Sequence, residues 1–194
     1  MTRAVTISPL YIVKRNLVLM ISALSSVHFE TETDTALVQQ KAEHYFTLFG
    51  NAIFRLAYSY LHNKEDSEDV LQETLLQYIK TTPKFENDTH AKAWLLRVAS
   101  NISKNRIHSN TRRETDELSE ELVAEEREDL SFVWEAVKSL NPTEREVIHL
   151  FYEEGYKTAE IATLLNRKES TIRSDLKRGR EALKTILKEA YDFE

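Results

Sequence analysis

Only three glycines and three prolines occur in the 194 residues, and this scarcity constrains the fold more than any other feature of the chain. Glycine supplies positive φ and proline a fixed φ, so tight turns draw heavily on both. A β-sandwich or barrel needs turn signals every ~8–12 residues, and this chain cannot furnish them. No segment alternates apolar and polar residues with period two over a useful length, whereas three- and four-residue apolar spacings recur throughout. The chain reads as all-α. Hydrophobic residues make up 41% and charged residues 30%, which is enough apolar surface for a helical core and too much charge for a membrane-embedded one. The absence of cysteine removes disulfides, thiolate zinc sites and cysteine nucleophiles, and suits a reducing cytoplasm, the expected location.

The net charge of −6 argues at first against nucleic acid, but the signs are segregated. Lys84 to Arg113 holds seven basic residues against Glu86 and Asp88, a balance of +5. Arg167 to Lys188 holds eight against Glu169, Asp175 and Glu181, again +5. Between them, Glu114 to Glu135 carries ten acidic residues and the single base Arg127, a balance of −9. Solvated helix faces would explain this pattern, and so would two nucleic-acid contacts joined by an acidic connector.

At the start of the chain Arg3, Lys14 and Arg15 precede an apolar stretch from Leu17 to Val27, in the manner of a secretory leader. The stretch contains Ser22, Ser25 and Ser26, is too short to span a bilayer, and lacks a small-x-small cleavage site. Residues 1–35 therefore read as an extension, disordered or left by a start upstream of a real one at Met20, with no stable membrane insertion expected. Residues 36–113 read as a small helical bundle. Phe46, Phe49, Ile53, Leu56 and Tyr60 mark a helix face between Glu43 and Leu61. After His62-Asn63-Lys64, Asp66 is placed to cap a second helix, which carries Leu71, Leu75, Tyr78 and Ile79 before Pro83. A polar loop from Phe85 to Thr89 leads into a third helix through Trp94, Leu95, Val98 and Ile102, running out to Arg112-Arg113.

Residues 114–129 form the acidic linker, with Leu118, Leu122 and Val123 as sparse apolar positions. Residues 130–194 read as a second domain. Leu130, Val133, Val137 and Leu140 space as a helix face, and Thr143 with Glu146 has the pattern of a capping box opening the next helix. Glu154-Gly155 ends that helix, and two more follow, the last from about Lys168 to Leu187. Lys157 to Leu176 has helix-turn-helix chemistry. Ile161, Leu164 and Leu165 face inward, Ala162 permits a close crossing, and Asn166 stands where the turn needs a left-handed residue. Ile172 and Leu176 point to the core, leaving Lys168, Ser170, Thr171, Arg173, Ser174, Lys177 and Arg178 outward as donors for phosphates and base edges. A helical hairpin with a basic surface fits the same spacing. Arg167 sits where such motifs are usually apolar, Glu169 and Asp175 bring negative charge to the outward helix, and Gly179 costs that helix about 1 kcal/mol.

Taken in order, these segments resemble the extracytoplasmic-function type of bacterial RNA polymerase sigma factor, the two-domain class of the sigma-70 family. Asp66-Ser67-Glu68-Asp69-Val70-Leu71-Gln72-Glu73 resembles the family's D-A-E-D-L-V-Q-E, and Ala93 to Asn101 is similar to its A-W-L-x-x-I-A-x-N. Leu140 to Val147 resembles L-P-x-x-x-R-E-V with one extra residue before the proline, and the helix-turn-helix follows at the family's spacing. The resemblance implies a protein that directs promoter-specific initiation. It assigns Asp66, Glu68, Asp69, Gln72 and Glu73 to the clamp helices of the polymerase β′ subunit, and these carboxylates and amide do line one polar face suited to an arginine-rich partner. It assigns the loop with Asn87, Asp88 and Thr89, together with Asn101, Lys104, Asn105, His108, Arg112 and Arg113, to the non-template strand of the minus-ten element. Trp94 fits either stacking on an unpaired base or core packing, and its stripe with Val98 and Ile102 favours the core. The helix-turn-helix is assigned to the major groove of the minus-thirty-five element. Core RNA polymerase, through its β′ clamp helices and β flap, and promoter DNA are the implied partners, with an anti-sigma factor as a further one the family allows.

Catalysis is not expected. His28, His44, His62, His90, His108 and His149 are scattered without metal-ligand spacing, and no glycine-rich phosphate loop is present. No metal or cofactor is implied. A recombinase or transposase accessory domain would need a catalytic module that the sequence does not display. A stand-alone helix-turn-helix regulator would bind duplex operator without polymerase, and a helical adaptor would show no salt-dependent DNA affinity.

Overall fold

The computed structural model describes residues 32–110 and 131–191, and every regular element among them is helical. The expectations for residues 1–31, for the acidic linker 114–129 and for Arg112 and Arg113 lie outside the described residues. Three long helices form the N-terminal half: α1 (Glu32–Leu61), α2 (Lys64–Thr81) and α3 (Asp88–Asn110). The helix expected from Glu43 begins at Glu32. Ile53, Leu56 and Tyr60 of α1 meet Leu71, Leu75, Tyr78 and Ile79 of α2 and Ala91, Leu95 and Ala99 of α3 in one buried apolar layer. Trp94 is half-buried, its ring 5.7 Å from Phe85, which also lies 5.8 Å from Tyr45 and 6.0 Å from Tyr78. The indole is thus packed into an aromatic cluster that fixes the loop before α3.

Two more of the expected helix starts move. Asn63, not Asp66, caps α2: its Oδ1 accepts from the Asp66 N–H at 2.9 Å, and Asp66 joins Glu65 in the first turn, where negative charge favours the helix dipole. Asn87 does the same for α3, accepting from the His90 N–H at 2.9 Å. The helix therefore starts at Asp88, and Asp88 and Thr89 belong to its first turn rather than to the loop.

The C-terminal half comprises α4 (Ser131–Lys138), α5 (Pro142–Ile148), a π turn over His149–Glu153, α6 (Thr158–Leu165) and α7 (Glu169–Tyr191). The capping box expected of Thr143 and Glu146 does not form. Asn141 caps α5, accepting from the Thr143 N–H at 2.9 Å, with Pro142 in the first turn, and Glu146 is buried elsewhere. Gly155, at φ 76°, turns the chain out of the π turn. The glycine inside α7 also has a use: a Cβ on Gly179 would lie 2.9 Å from Ile148 Cγ1, so only glycine lets α5 and α7 cross this closely.

The two halves touch. α1 packs on α5, α3 on α6, and one apolar cluster runs through both. Arg145, nearly buried, donates to Ser59 O at 2.7 Å across this junction and to Lys138 O and Leu140 O at 2.7 and 2.6 Å within its own half, with His62 Nε2 beside it. Among the described residues no helix is long and apolar enough to cross a membrane.

Candidate nucleic-acid interface

Three surfaces gather the residues singled out from the sequence. On α2, Asp69 and Glu73 are exposed, and Asp66, Glu68 and Gln72 are half-buried. The sequence reading leaves this acidic face open for an arginine-rich partner. An arginine of the chain itself already occupies it. Arg106, from α3, places Nη1 3.3 Å from Asp66 Oδ1 and 3.4 Å from Asp69 Oδ2, and Nη2 2.5 Å from Glu73 Oε1. Burial lowers the Arg106 pKa, but hydrogen bonding and charge from Glu73 and Asp69 outweigh it and hold the guanidinium above its ordinary value. Burial raises the Glu68 carboxyl, with Lys64 opposing and Glu65 and Asp69 adding to the rise. The face is therefore an ordered carboxylate array with its charge partly neutralised.

On α3, Asn101, Lys104 and Asn105 share a stripe that continues to His108, whose side chain lies outside the described residues. Asn101 and Asn105 are exposed. Lys104 instead turns to the C-terminal half, with Nζ 2.9 Å from Glu146 Oε1. At the head of α3, Asn87 spends its side-chain oxygen on the cap, Asp88 stands 3.7 Å from His44 Nε2, and Thr89 is exposed. The polar groups expected to meet a strand thus lie at two separate places on one helix, its first turn and its last third.

The helix-turn-helix matches its expected geometry closely. Asn166 takes φ 53° and ψ 48°, the left-handed conformation foreseen for the turn. Ile161, Ala162, Leu164, Ile172 and Leu176 are buried between α6 and α7, and Thr158 Oγ1 donates to Glu169 Oε1 at 2.8 Å to tie the two helices together. Lys168, just before α7, and Ser170, Thr171, Arg173, Ser174, Lys177 and Arg178 along it are all exposed. The negative charges there are neutralised within the motif. Asp175 is buried and gripped by both Arg167 and Arg178, and Glu169 is bonded by Arg173 at 2.8 Å. Hydrogen bonds from Thr158 and Arg173 hold the Glu169 carboxyl below its ordinary value. Arg167 stands at a usually apolar position because it must reach Asp175. Arg178 also bonds Glu144 at 3.2 Å, so part of its capacity is used in orienting α7 on α5.

Sequence reasoning missed four charged groups that organise these surfaces: Arg106, Arg145, Glu146 and Glu154. Each has at least one partner tens of residues away, which no local spacing announces.

Known proteins match this arrangement. The family model for sigma-70 region 2 matches residues 45–113 and that for sigma-70 region 4 matches residues 133–183. The chain is 32% identical over 148 residues to the ECF RNA polymerase sigma factor SigL of Mycobacterium tuberculosis, covering 71% of this chain and 83% of that protein. It is 28% identical over 147 residues to the ECF RNA polymerase sigma factor SigE of Mycolicibacterium smegmatis, covering 70% of this chain and 57% of that one. In fold it is similar to the sigma factor RpoE of Bartonella quintana, solved in complex with the anti-sigma factor NepR, with a TM-score of 0.66 at 23% identity over 75% of this chain and 96% of that one. With both regions matched in order and a relative of this identity spanned over most of its length, the chain belongs to the extracytoplasmic-function RNA polymerase sigma factors.

Proposed function

We propose that the chain binds core RNA polymerase and directs it to a promoter, the polymerase doing the chemistry. In this reading Asp66, Glu68, Asp69, Gln72 and Glu73 on α2 meet the β′ clamp helices, and the C-terminal half meets the β flap. The α3 residues Asn101, Lys104, Asn105 and His108, with Asn87, Asp88, Thr89, Arg112 and Arg113, contact the non-template strand of the minus-ten element. Lys168 and the α7 residues Ser170, Thr171, Arg173, Ser174, Lys177 and Arg178 enter the major groove of the minus-thirty-five element. The single observation that carries the reading is the pairing, in one chain and in family order, of an acidic α2 face with an exposed donor-lined helix behind an Asn166 turn. An anti-sigma factor fits as an additional partner, since the similar RpoE was solved with one.

Run-off transcription with purified core polymerase tests the proposal. A transcript of defined length is expected only when the chain is added. Asp69→Lys with Glu73→Lys is expected to abolish it and to remove co-purification with core, because reversing charges in a desolvated contact costs about 2–5 kcal/mol each. Undiminished co-purification at moderate salt would contradict the α2 assignment.

A further inference from the structure

The acidic face of α2 carries a cation supplied by the chain itself. Asp66, Asp69 and Glu73 stand at i, i+3 and i+7 on one stripe of the helix, and Arg106 crosses to them from the end of α3. Its Nη1 reaches Asp66 and Asp69 while its Nη2 reaches Glu73, so one guanidinium fork spans all three carboxylates. The same Nη1 lies 3.4 Å from the Asp66 carbonyl oxygen. A partner's arginine arriving on this stripe would make the same kind of charge-assisted bonds. The Arg106 side chain is 20% exposed, and those of Asp66, Asp69 and Glu73 are 36%, 59% and 49% exposed. The cluster therefore lies at the surface, where a partner can reach it.

We infer that Arg106 is an internal stand-in for an arginine of the polymerase clamp helices, and that it holds the chain's affinity for core below what the α2 carboxylates alone would give. The inference rests on the assignment of α2 to the clamp helices proposed above. Three arguments carry it. Arg106 contributes little to joining α2 and α3, because Leu71, Leu75, Leu95 and Ala99 already bury an apolar layer between them and exposed ion pairs are worth little. Nor is it needed to align the carboxylates, since their spacing along α2 places them on one face whatever lies opposite. The third argument is charge. Asp66, Glu68, Asp69 and Glu73 bring four carboxylates to the face, and Arg106 cancels one of the four. Each carboxylate has lone pairs to spare, so a second guanidinium can still bond, but only beside a like charge or after displacing Arg106. Two unit charges about 4 Å apart at a protein surface repel enough to lower affinity by about tenfold, and salt screens the effect. Arg106 thus makes the face selective for a partner that brings several guanidinium groups at once.

Equilibrium binding of the full chain to purified core polymerase, over a series of salt concentrations, tests this. Arg106→Gln keeps hydrogen-bond donors but loses the charge, and is expected to bind core about tenfold more tightly at low salt, the gap narrowing as salt rises. Arg106→Lys keeps the charge without the fork and is expected to stay within about twofold of the wild type. Arg106→Met, which retains an apolar stem, carries the test should the glutamine variant lose helix content by circular dichroism. A folded Arg106→Gln that binds core no more tightly than the wild type overturns the stand-in. The α2 assignment survives that result if Asp69→Lys with Glu73→Lys still abolishes binding. A lysine variant that tightens as much as the glutamine one also overturns the stand-in, because charge is then not the cause. Charge reversal at Asp69 and Glu73 that leaves core binding unchanged overturns the α2 assignment, and the stand-in falls with it.

Discussion

The two helices assigned to DNA treat their positive charge in opposite ways. Along α7 the donors point outward and Asp175 is buried beneath Arg167 and Arg178, while Glu169 and Glu181 lie at the surface beside Arg173 and Lys177. Along α3 Lys104 and Lys92 are turned inward onto Glu146 and Glu154 of the other half, while Arg97, Asn101 and Asn105 remain exposed. Both segments have the same sequence balance of +5, so charge counting treats them as equals. The difference teaches that the availability of a basic helix depends on where its counter-charges sit. Asp175 lies behind the outward donors of α7, whereas Glu154 and Glu146 lie in front of Lys92 and Lys104 on α3.

Acid should break this contrast most completely. Burial raises the Glu154 carboxyl, but His149 and Lys92 overcome it and hold the group at about 2. Burial, with Arg145 and Lys138 adding to it against Glu135, lowers His62 to about 4. A depressed carboxylate stabilises the docked state above its ordinary pKa and loses that contribution as pH falls toward its lowered value. A histidine kept neutral by docking penalises the docked state once the undocked ring takes up a proton. Both effects run the same way. The separation of the halves is expected to begin below about pH 6.5 and grow steeply below about pH 4.5. The distance between spin labels on cysteines placed at the exposed Gln77 of α2 and Lys184 of α7, followed across pH with helix content monitored alongside, checks this. A distance that stays short until the helices melt would mean that the two faces do not differ as described.

A smaller effect sharpens the open side. Arg173→Ala and Lys177→Ala are expected to weaken transcription from a duplex promoter by about 1–3 kcal/mol for a lost base contact and less for a phosphate contact. A template already melted at its start site should be less affected. Equal losses on both templates would place α7 in strand opening rather than duplex reading.

The smallest expected effect concerns how α7 is mounted. Gly179→Ala regains about 1 kcal/mol of helix propensity but drives a methyl group into Ile148, and overpacking costs about 1–3 kcal/mol. A net loss in thermal stability is expected, with Ile148→Val restoring part of it. A stabilised Gly179→Ala would show that α5 and α7 do not cross so closely.

What the sequence made legible follows from the range of the interactions involved. Helical periodicity, the stop at Pro83 and the left-handed Asn166 are local, and all appear as read. The cap of α2 moved from Asp66 to Asn63, and α3 starts within the expected loop because Asn87 caps it. Glu146 misled because its spacing from Thr143 satisfies a local rule, while Ser100 and Lys104 capture it from more than forty residues away. Arg106 was hidden for the same reason, since its three carboxylates lie 33 to 40 residues before it. The family resemblance assigns roles to these surfaces that no pairing rule suggests, but it says nothing of the contacts between the halves.

The most direct measurement is a gel shift on duplex promoter DNA with the full chain, in the presence and absence of core polymerase. With net charge −6, the chain alone should bind weakly and with little sequence preference. With core present, binding should become tight and promoter-specific. Tight, sequence-specific binding by the chain alone would contradict the account and identify a stand-alone regulator instead.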